Sequence, residues 1–248
     1  MTTLSIDLNC DLGEGMPNDK ALMAYISSAN IACGYHAGDE STMQRTIEYC
    51  LQHKVAIGAH PGFRDRENFG RTEIHLSDDE LYDLIADQLA LMQKYCNVMQ
   101  ANLHHIKLHG SLYNMSAKSE RMSEVLVRVI KDLNPNLIVY ALSGSTTIAH
   151  AKRAGLKVAN EVFADRTYQE DGTLTPRTAK HALISDQKES LQQVMSMVKD
   201  KNVLSYTGKS IPLEVDTICL HGDGEHALSF AKSIHEFLIN NHIHIQIP

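Results

Sequence analysis

Leu4-Ser5-Ile6-Asp7-Leu8-Asn9-Cys10-Asp11 is the stretch on which the fold turns. Leu4–Asn9 has the length and composition of a strand, and it runs directly into an ionisable residue, Asp11. The same event recurs along the chain. Ala29–Cys33, Val55–His60, Ile106–His109, Leu137–Leu142, Val158–Phe163 and Thr217–His221 are short, mostly apolar or β-rich runs, as strands of a buried parallel sheet are. A late run, Ile243–Ile247, predicts one further short strand. Between the runs stand helix patterns over Ser41–Gln52, Asp78–Cys96, Ser119–Leu133, Thr146–Ala154, Asp186–Lys199 and His226–Asn240. In the first, Thr42, Met43, Thr46, Ile47 and Cys50 form the i, i+3, i+4 stripe of an amphipathic helix. Ser77 and Glu80 stand at capping-box spacing ahead of the second. About seven βα repeats with no Gly/Ser linker predict a single (β/α) barrel domain of the α/β class over residues 1–248. A doubly wound open sheet shares the alternation. The Rossmann glycine turn is missing after the first strand, where Leu12-Gly13-Glu14-Gly15-Met16-Pro17 stands, and this weakens the nucleotide-binding form of that rival.

Composition narrows the function classes. Hydrophobic residues make up 43% of the 248 and charged residues 21%, a globular balance. The net charge of −7 argues against nucleic acid as a partner, which would favour a basic patch. Five cysteines (Cys10, Cys33, Cys50, Cys96 and Cys219), odd in number and without a CxxC pair, suggest neither a disulfide framework nor a zinc knuckle. Three of them lie inside apolar runs, where a free thiol behaves as a small buried hydrophobe. The segment MTTLSIDLNCDLGEG lacks a basic region followed by an apolar stretch, and no apolar run is long enough to cross a bilayer. The expectation is a cytoplasmic protein with no membrane partner.

Asn202–Val215 (NVLSYTGKSIPLEV) reads as a hairpin turning at Gly208, inserted before the seventh strand. Its Gly208-Lys209-Ser210 matches the tail of a Walker A motif, but Val203 stands where the first glycine is required. The chain therefore carries no recognisable ATP loop of its own.

The ionisable residues fall in a pattern. The strand ends are Asn9-Cys10-Asp11, His36-Ala37-Gly38-Asp39, His60-Pro61-Gly62, Lys107-Leu108-His109-Gly110, Glu161 with Ala164-Asp165-Arg166, and His221-Gly222-Asp223. In a (β/α) barrel such positions converge on one face. A lone histidine at a strand end is usually a hydrogen-bonded structural residue. Four of them, each followed within two residues by glycine, point to a site, because glycine lets the backbone turn and a ligand approach. His53, His75, His150, His181, His235, His242 and His244 are expected at the surface, and His104 and His105 to support the neighbouring strand. Two chemistries stay open. Asp11, His36, His60, His109 and Asp223 suit a divalent metal, and equally suit metal-free acid–base work. Lys107 and Arg166 supply positive charge for a carboxylate or phosphoryl group. No H-E-x-x-H, G-x-S-x-G or Cys–His signature is present, and Ser111 lacks the second glycine of a nucleophile elbow.

These segments together resemble the LamB/YcsF family. The resemblance rests on Asp7-Leu8-Asn9-Cys10-Asp11-Leu12-Gly13-Glu14, the run SANIACGYHAGD over Ser28–Asp39, Gly58-Ala59-His60-Pro61, His109-Gly110-Ser111-Leu112-Tyr113-Asn114, Glu161-Val162-Phe163-Ala164-Asp165-Arg166 and His221-Gly222-Asp223, in that order. Leu108 replaces the proline of the family's Lys-Pro-His-Gly, and Gly224-Glu225-His226 replaces Thr-Pro-Gly. The resemblance implies a fold similar to glycoside hydrolase/deacetylase barrels and the activity of the prokaryotic ATP-dependent 5-oxoprolinase, of which the family forms the A component. In that reaction the A, B and C components couple ATP hydrolysis to opening the lactam ring of 5-oxoproline, giving L-glutamate. On this basis Asp11, His36, Lys107, His109 and Asp223 are expected to be catalytic, and Asn9, His60, Glu161, Arg166 and His221 to bind substrate. ATP is the expected co-substrate of the complex, and a divalent metal held by Asp11, His36, His60 and His109 a candidate cofactor. Two other readings stand beside this one: a metal-dependent deacetylase-like hydrolase, and a sugar-binding or transport-regulatory module that needs no convergent acid–base groups.

Overall fold

The structure is a computed structural model and describes residues 4–221 and 227–248. Six strands alternate with helices in the first part of the chain: β1 Ser5–Leu12, β2 Ser28–Ala32, β3 Ala56–His60, β4 Leu103–Lys107, β5 Ile138–Leu142 and β6 Val158–Phe163. After the antiparallel hairpin β7 Asn202–Leu204 and β8 Ser210–Pro212 comes β9, Thr217–His221. The order β1-β2-β3-β4-β5-β6-β9, with β9 bonded back to β1, makes a closed barrel of seven parallel staves. The open sheet is thereby excluded.

Helices α1 Asp19–Leu22, α2 Glu40–His53, α3 Asp78–Val98, α4 Gly110–Ser116, α5 Glu120–Leu133, α6 Thr146–Arg153, α7 Gln187–Met195 and α8 Ala227–Asn240 accompany the staves. Ser77 forms both halves of the expected capping box with Glu80, which fixes where α3 starts. Asp39 accepts from the Thr42 amide as N-cap of α2, so this strand-end acid has a structural task. The hairpin turns where expected, with Gly208 at φ +87°. All five cysteines are free and buried.

Several boundaries differ from the sequence reading. Strand β4 starts at Leu103 and stops before His109, so His104 and His105, expected to support the neighbouring strand, belong to the strand itself. Strand β10 is only His244–Ile245 and pairs with Ser5 and Ile6 outside the closed ring, so it is no eighth stave. The helix expected over Asp186–Lys199 passes into a π-helical turn at Ser196–Asp200. The short helices α1 and α4 carry no sequence periodicity long enough to be read. Of the histidines expected at the surface, His150 and His235 are half-buried, and His235 bonds through Nδ1 to the Tyr25 carbonyl.

The first stave shows how the layers divide. Ile6, Leu8, Cys10 and Leu12 join the main apolar layer with Met43, Ile47 and Cys50 of α2, between barrel and helices. Asp7, Asn9 and Asp11 alternate with them and reach other staves across the interior. The main apolar core thus lies outside the barrel, and the inside is largely polar, with a small separate apolar cluster of Ile138, Tyr140 and Ala159 beside His105. No helix of the described residues is long and apolar enough to cross a membrane.

Candidate active site

Lys107 is the hub of the polar interior. Its Nζ lies 2.7 Å from Asp11 Oδ1, 2.8 Å from Glu161 Oε1, 3.3 Å from Asn9 Oδ1 and 3.0 Å from Cys219 Sγ. Burial disfavours its charge, and Asp11 with Glu161 overcomes this and holds the ammonium well above the usual lysine range. Asn9 and Asn30 complete the array. Asn9 donates to Glu161 and Thr217, and Asn30 donates to Asn9 and Asp11. His105, stacked at 4.0 Å on Tyr140, bonds through Nε2 to Asn30 Oδ1 at 2.8 Å. A buried carboxylate carries such a cost that its partners must be fixed, and here each is held by another stave.

Three histidines gather at the C-terminal ends of β2, β3 and β4. The rings of His36 and His109 stack in parallel at 3.7 Å, and His60 stands edge-on to both. Glycine makes this packing possible. A Cβ on Gly62 would lie 2.6 Å from His36 Nδ1, and one on Gly70, at φ +66°, would lie 2.8 Å from His36 Cβ. Beside Gly70, Phe69 adopts φ +57°, a conformation rare for a bulky residue, and presents its carbonyl to His109 Nε2 at 2.8 Å. The backbone amide of His109 donates to the Pro61 carbonyl, tying the ends of β3 and β4 together. Leu108, standing where the family has proline, is buried and leaves this tie intact.

The tautomers follow from the partners. His60 Nδ1 faces the Lys107 carbonyl at 2.8 Å, and His109 Nε2 faces that of Phe69, so each of these nitrogens must carry a proton. The remaining nitrogens, His60 Nε2 and His109 Nδ1, then point lone pairs at each other across 2.9 Å. Two lone pairs at that distance repel unless a cation stands between or beside them. Burial, and then the neighbouring histidines, push the pKa of both His109 and His36 well below the usual value, so a proton is a poor candidate. Glu14 Oε1 lies 3.4 Å from His36 Nε2 and 3.5 Å from His109 Nδ1. Donor atoms of Glu14, His36, His60 and His109 all fall within 4.8 Å of one another, and neither nitrogen of His36 has a hydrogen-bond partner among the described residues. One carboxylate oxygen and three imidazoles are a donor set for a divalent cation.

A cavity of about 490 Å³ opens beside this cluster, at the C-terminal ends of the staves. Asp11, His60, Lys107, His109 and Arg166 line it, whereas Asn9, His36 and Glu161 lie behind the lining. Asp223 lies outside the described residues, as does the side chain of His221. Glu14 was not among the sequence candidates and takes the carboxylate place that had been expected for Asp11 in the cation set; Asp11 instead faces Lys107, with Oδ2 3.4 Å from His60. The signal was available, since Glu14 is flanked by Gly13 and Gly15. Arg71 and Arg177 also line the cavity from loops without periodicity.

The chain has counterparts among known proteins. A family profile described as LamB/YcsF family matches residues 6–248. The chain is 49% identical over 239 residues to the 5-oxoprolinase A subunit of Brevibacillus brevis, covering 94% of each chain. It is 45% identical over 248 residues to the protein of the same name from Staphylococcus aureus strain Newman, covering 98% of this chain and 99% of that one. Among solved structures, the lactam utilization protein of Thermus thermophilus superimposes with a TM-score of 0.92 at 30% identity, over 99% of this chain and 100% of that one.

Proposed function

Since the chain belongs to the LamB/YcsF family, we propose that it is the ring-opening component of an ATP-hydrolysing 5-oxoprolinase, converting 5-oxoproline to L-glutamate. The observation that carries this reading is the Glu14, His36, His60, His109 cluster beside a cavity fit for a small substrate. Residues 1–248 act as one barrel domain in a cytoplasmic, multisubunit complex whose other subunits supply the ATP site. Amide resonance makes the lactam carbonyl a poor electrophile. Partner subunits transfer a phosphoryl group from ATP to the lactam oxygen. Water then adds to the ring carbon and the ring C–N bond breaks with protonation of nitrogen, leaving an acyl phosphate, which a second water cleaves to the free carboxylate and phosphate.

Without a cation, the lone pairs of His109 Nδ1 and His60 Nε2 hold and move the proton of the attacking water; a bound cation takes both nitrogens as ligands instead. Asp11 accepts a share of that charge through His60 Nε2, 3.4 Å away. Lys107 is a positioning residue, because its ammonium is already committed to Asp11 and Glu161. The cluster fits a divalent cation through Glu14 Oε1 and the inward nitrogens of His36, His60 and His109; when bound, such a cation supplies Lewis acidity. Metal analysis of the purified protein should find about one divalent ion per chain, lost together with activity on chelation. A metal-free preparation with full activity would reduce the cluster to acid–base groups.

The decisive assay is glutamate release from 5-oxoproline and ATP. The purified chain alone should release little, and addition of the other subunits should restore turnover. Turnover by the chain alone at the rate of the full complex would place lactam activation here instead. Hydrolysis of acetylated sugars without ATP would favour the deacetylase reading. Sugar binding that survives loss of His109 would favour a transport-regulatory module.

A further inference from the structure

One layer of the barrel interior runs across four consecutive staves. The registers pair Asp11 of β1 with Asn30 of β2, Asn30 with Gly58 of β3, and Gly58 with His105 of β4. Bulky branched side chains usually fill such a layer. Here it holds an acid, an amide, a glycine and an imidazole. Gly58 lets the two ends meet, because a Cβ there would collide with His105 Nε2, Cδ2 and Cε1. The imidazole thus crosses the third stave in the space a side chain would take, and Tyr140 of β5 stacks on it at 4.0 Å. The hydrogen bonds along the layer have one direction. Asn30 Nδ2 gives its two protons to Asp11 Oδ1 at 2.8 Å and to Asn9 Oδ1 at 2.7 Å. Asn30 Oδ1 is then an acceptor, so His105 Nε2, 2.8 Å from it, carries a proton. Burial pushes the His105 pKa well below the ordinary histidine value, so Nδ1 keeps a lone pair, which faces His104 Nδ1 at 3.2 Å. Asn30 is fully buried, and an unpaired amide oxygen there would carry its whole desolvation cost. Turned the other way, the amide would set that oxygen against the Asp11 carboxylate. His105 and Asp11 therefore lock it from opposite ends.

We propose that His105 is a positioning residue of the reaction, which through Asn30 holds Asp11 with Oδ1 turned into the barrel and Oδ2 turned toward His60. Asp11 Oδ1 accepts from Lys107 at 2.7 Å as well as from Asn30, whereas Oδ2 lies 3.4 Å from His60 Nε2 at the cavity wall. A ring that only filled space could be replaced by any side chain of its size. A ring that orders an amide behind a carboxylate can be replaced only by another donor. The inference rests on the 5-oxoprolinase reading for the task of Asp11, while the placement of that carboxylate is independent of it.

The test compares His105→Leu, which fills the space without a donor, with His105→Gln, whose carboxamide N–H falls near the place of the imidazole Nε2. In the assembled complex His105→Leu should lower kcat for glutamate release by about 10-fold or more, with KM for 5-oxoproline changed by less than about 3-fold. His105→Gln should recover most of the lost rate. Asn30→Ala should lower kcat similarly, and adding His105→Leu to it should cost little more, because the route to Asp11 is already cut. In the chain alone, the ¹³C NMR signal of Asp11 Cγ, assigned by its loss in Asp11→Asn, should move in His105→Leu and return toward the parent position in His105→Gln. Should a melting curve show His105→Leu unfolded, His105→Met, which adapts better to a core, takes its place. Parent-like kcat in the apolar variant, equal damage by the apolar variant and His105→Gln, or an unmoved Asp11 signal each overturns the proposal. A parent complex that releases no glutamate removes the 5-oxoprolinase reading, and the Asp11 signal then decides the inference by itself.

Discussion

Replacing His109 with alanine is expected to lower turnover of the assembled enzyme by about 100-fold or more while leaving the barrel folded. His109 sits at the N-cap of α4 but makes no side-chain capping bond, so alanine removes no cap. The side chain touches the His36 ring, His60 Nε2 and the Phe69 carbonyl, all within the cluster. Truncation leaves that carbonyl unpaired and a small void, a stability cost of roughly 1–3 kcal/mol. The chemical loss is larger, because one of the two inward lone pairs disappears. Steady-state glutamate release together with a thermal melt separates the two effects. Near-normal rates from a folded variant would remove His109 from the reaction.

The second large effect is on stability. Lys107→Met leaves Asp11 and Glu161, each within 2.8 Å of the lost ammonium, facing one another in a dry interior without a counter-charge. Breaking a buried ion pair from one side costs about 3–5 kcal/mol. For a chain of this length that corresponds to a fall in melting temperature of roughly 6–20 °C. The deficit is electrostatic, so neutralising one of the two carboxylates should relieve it. Adding Glu161→Gln to Lys107→Met should recover part of the loss. A single variant as stable as the parent would show that the ammonium does not neutralise this pair.

Much of the fold was legible because it follows from local chemistry. Short apolar runs alternating with amphipathic helices, the Ser77–Glu80 capping box and the Gly208 turn need no tertiary information, and each stands as expected. Closure was favoured by the repeat count and the missing Rossmann turn, but alternation is common to barrels and open sheets, and the β1–β9 ladder decides. The cluster histidines could be found because strand-end residues next to glycine must lie at the rim of a barrel. Asn30 escaped because it sits inside Ala29–Cys33, a run read as mostly apolar, and His105, standing just before the run Ile106–His109, was expected only to support the neighbouring strand. Their period-two alternation with Ile31 and Ile106 was present in the sequence but is meaningful only once an interior exists. Arg166 was expected to hold substrate. Its carbonyl partners depend on the return path of the 166–184 loop, which no periodicity encodes.

The join between β1 and β9 also has a history in time. Thr217 bonds Asp7 across a separation of 210 residues, so the ring stays open until nearly the whole chain exists. During synthesis the early staves must wait with Asp7, Asn9 and Asp11 still hydrated. Loop closure over that length is entropically opposed, so β9 is expected to join the ring late in folding. Its arrival dries the interior and brings Cys219 to Lys107 in one event. A nascent or truncated chain lacking β9 leaves the facing edges of β1 and β6 without their ladder, as open strand edges.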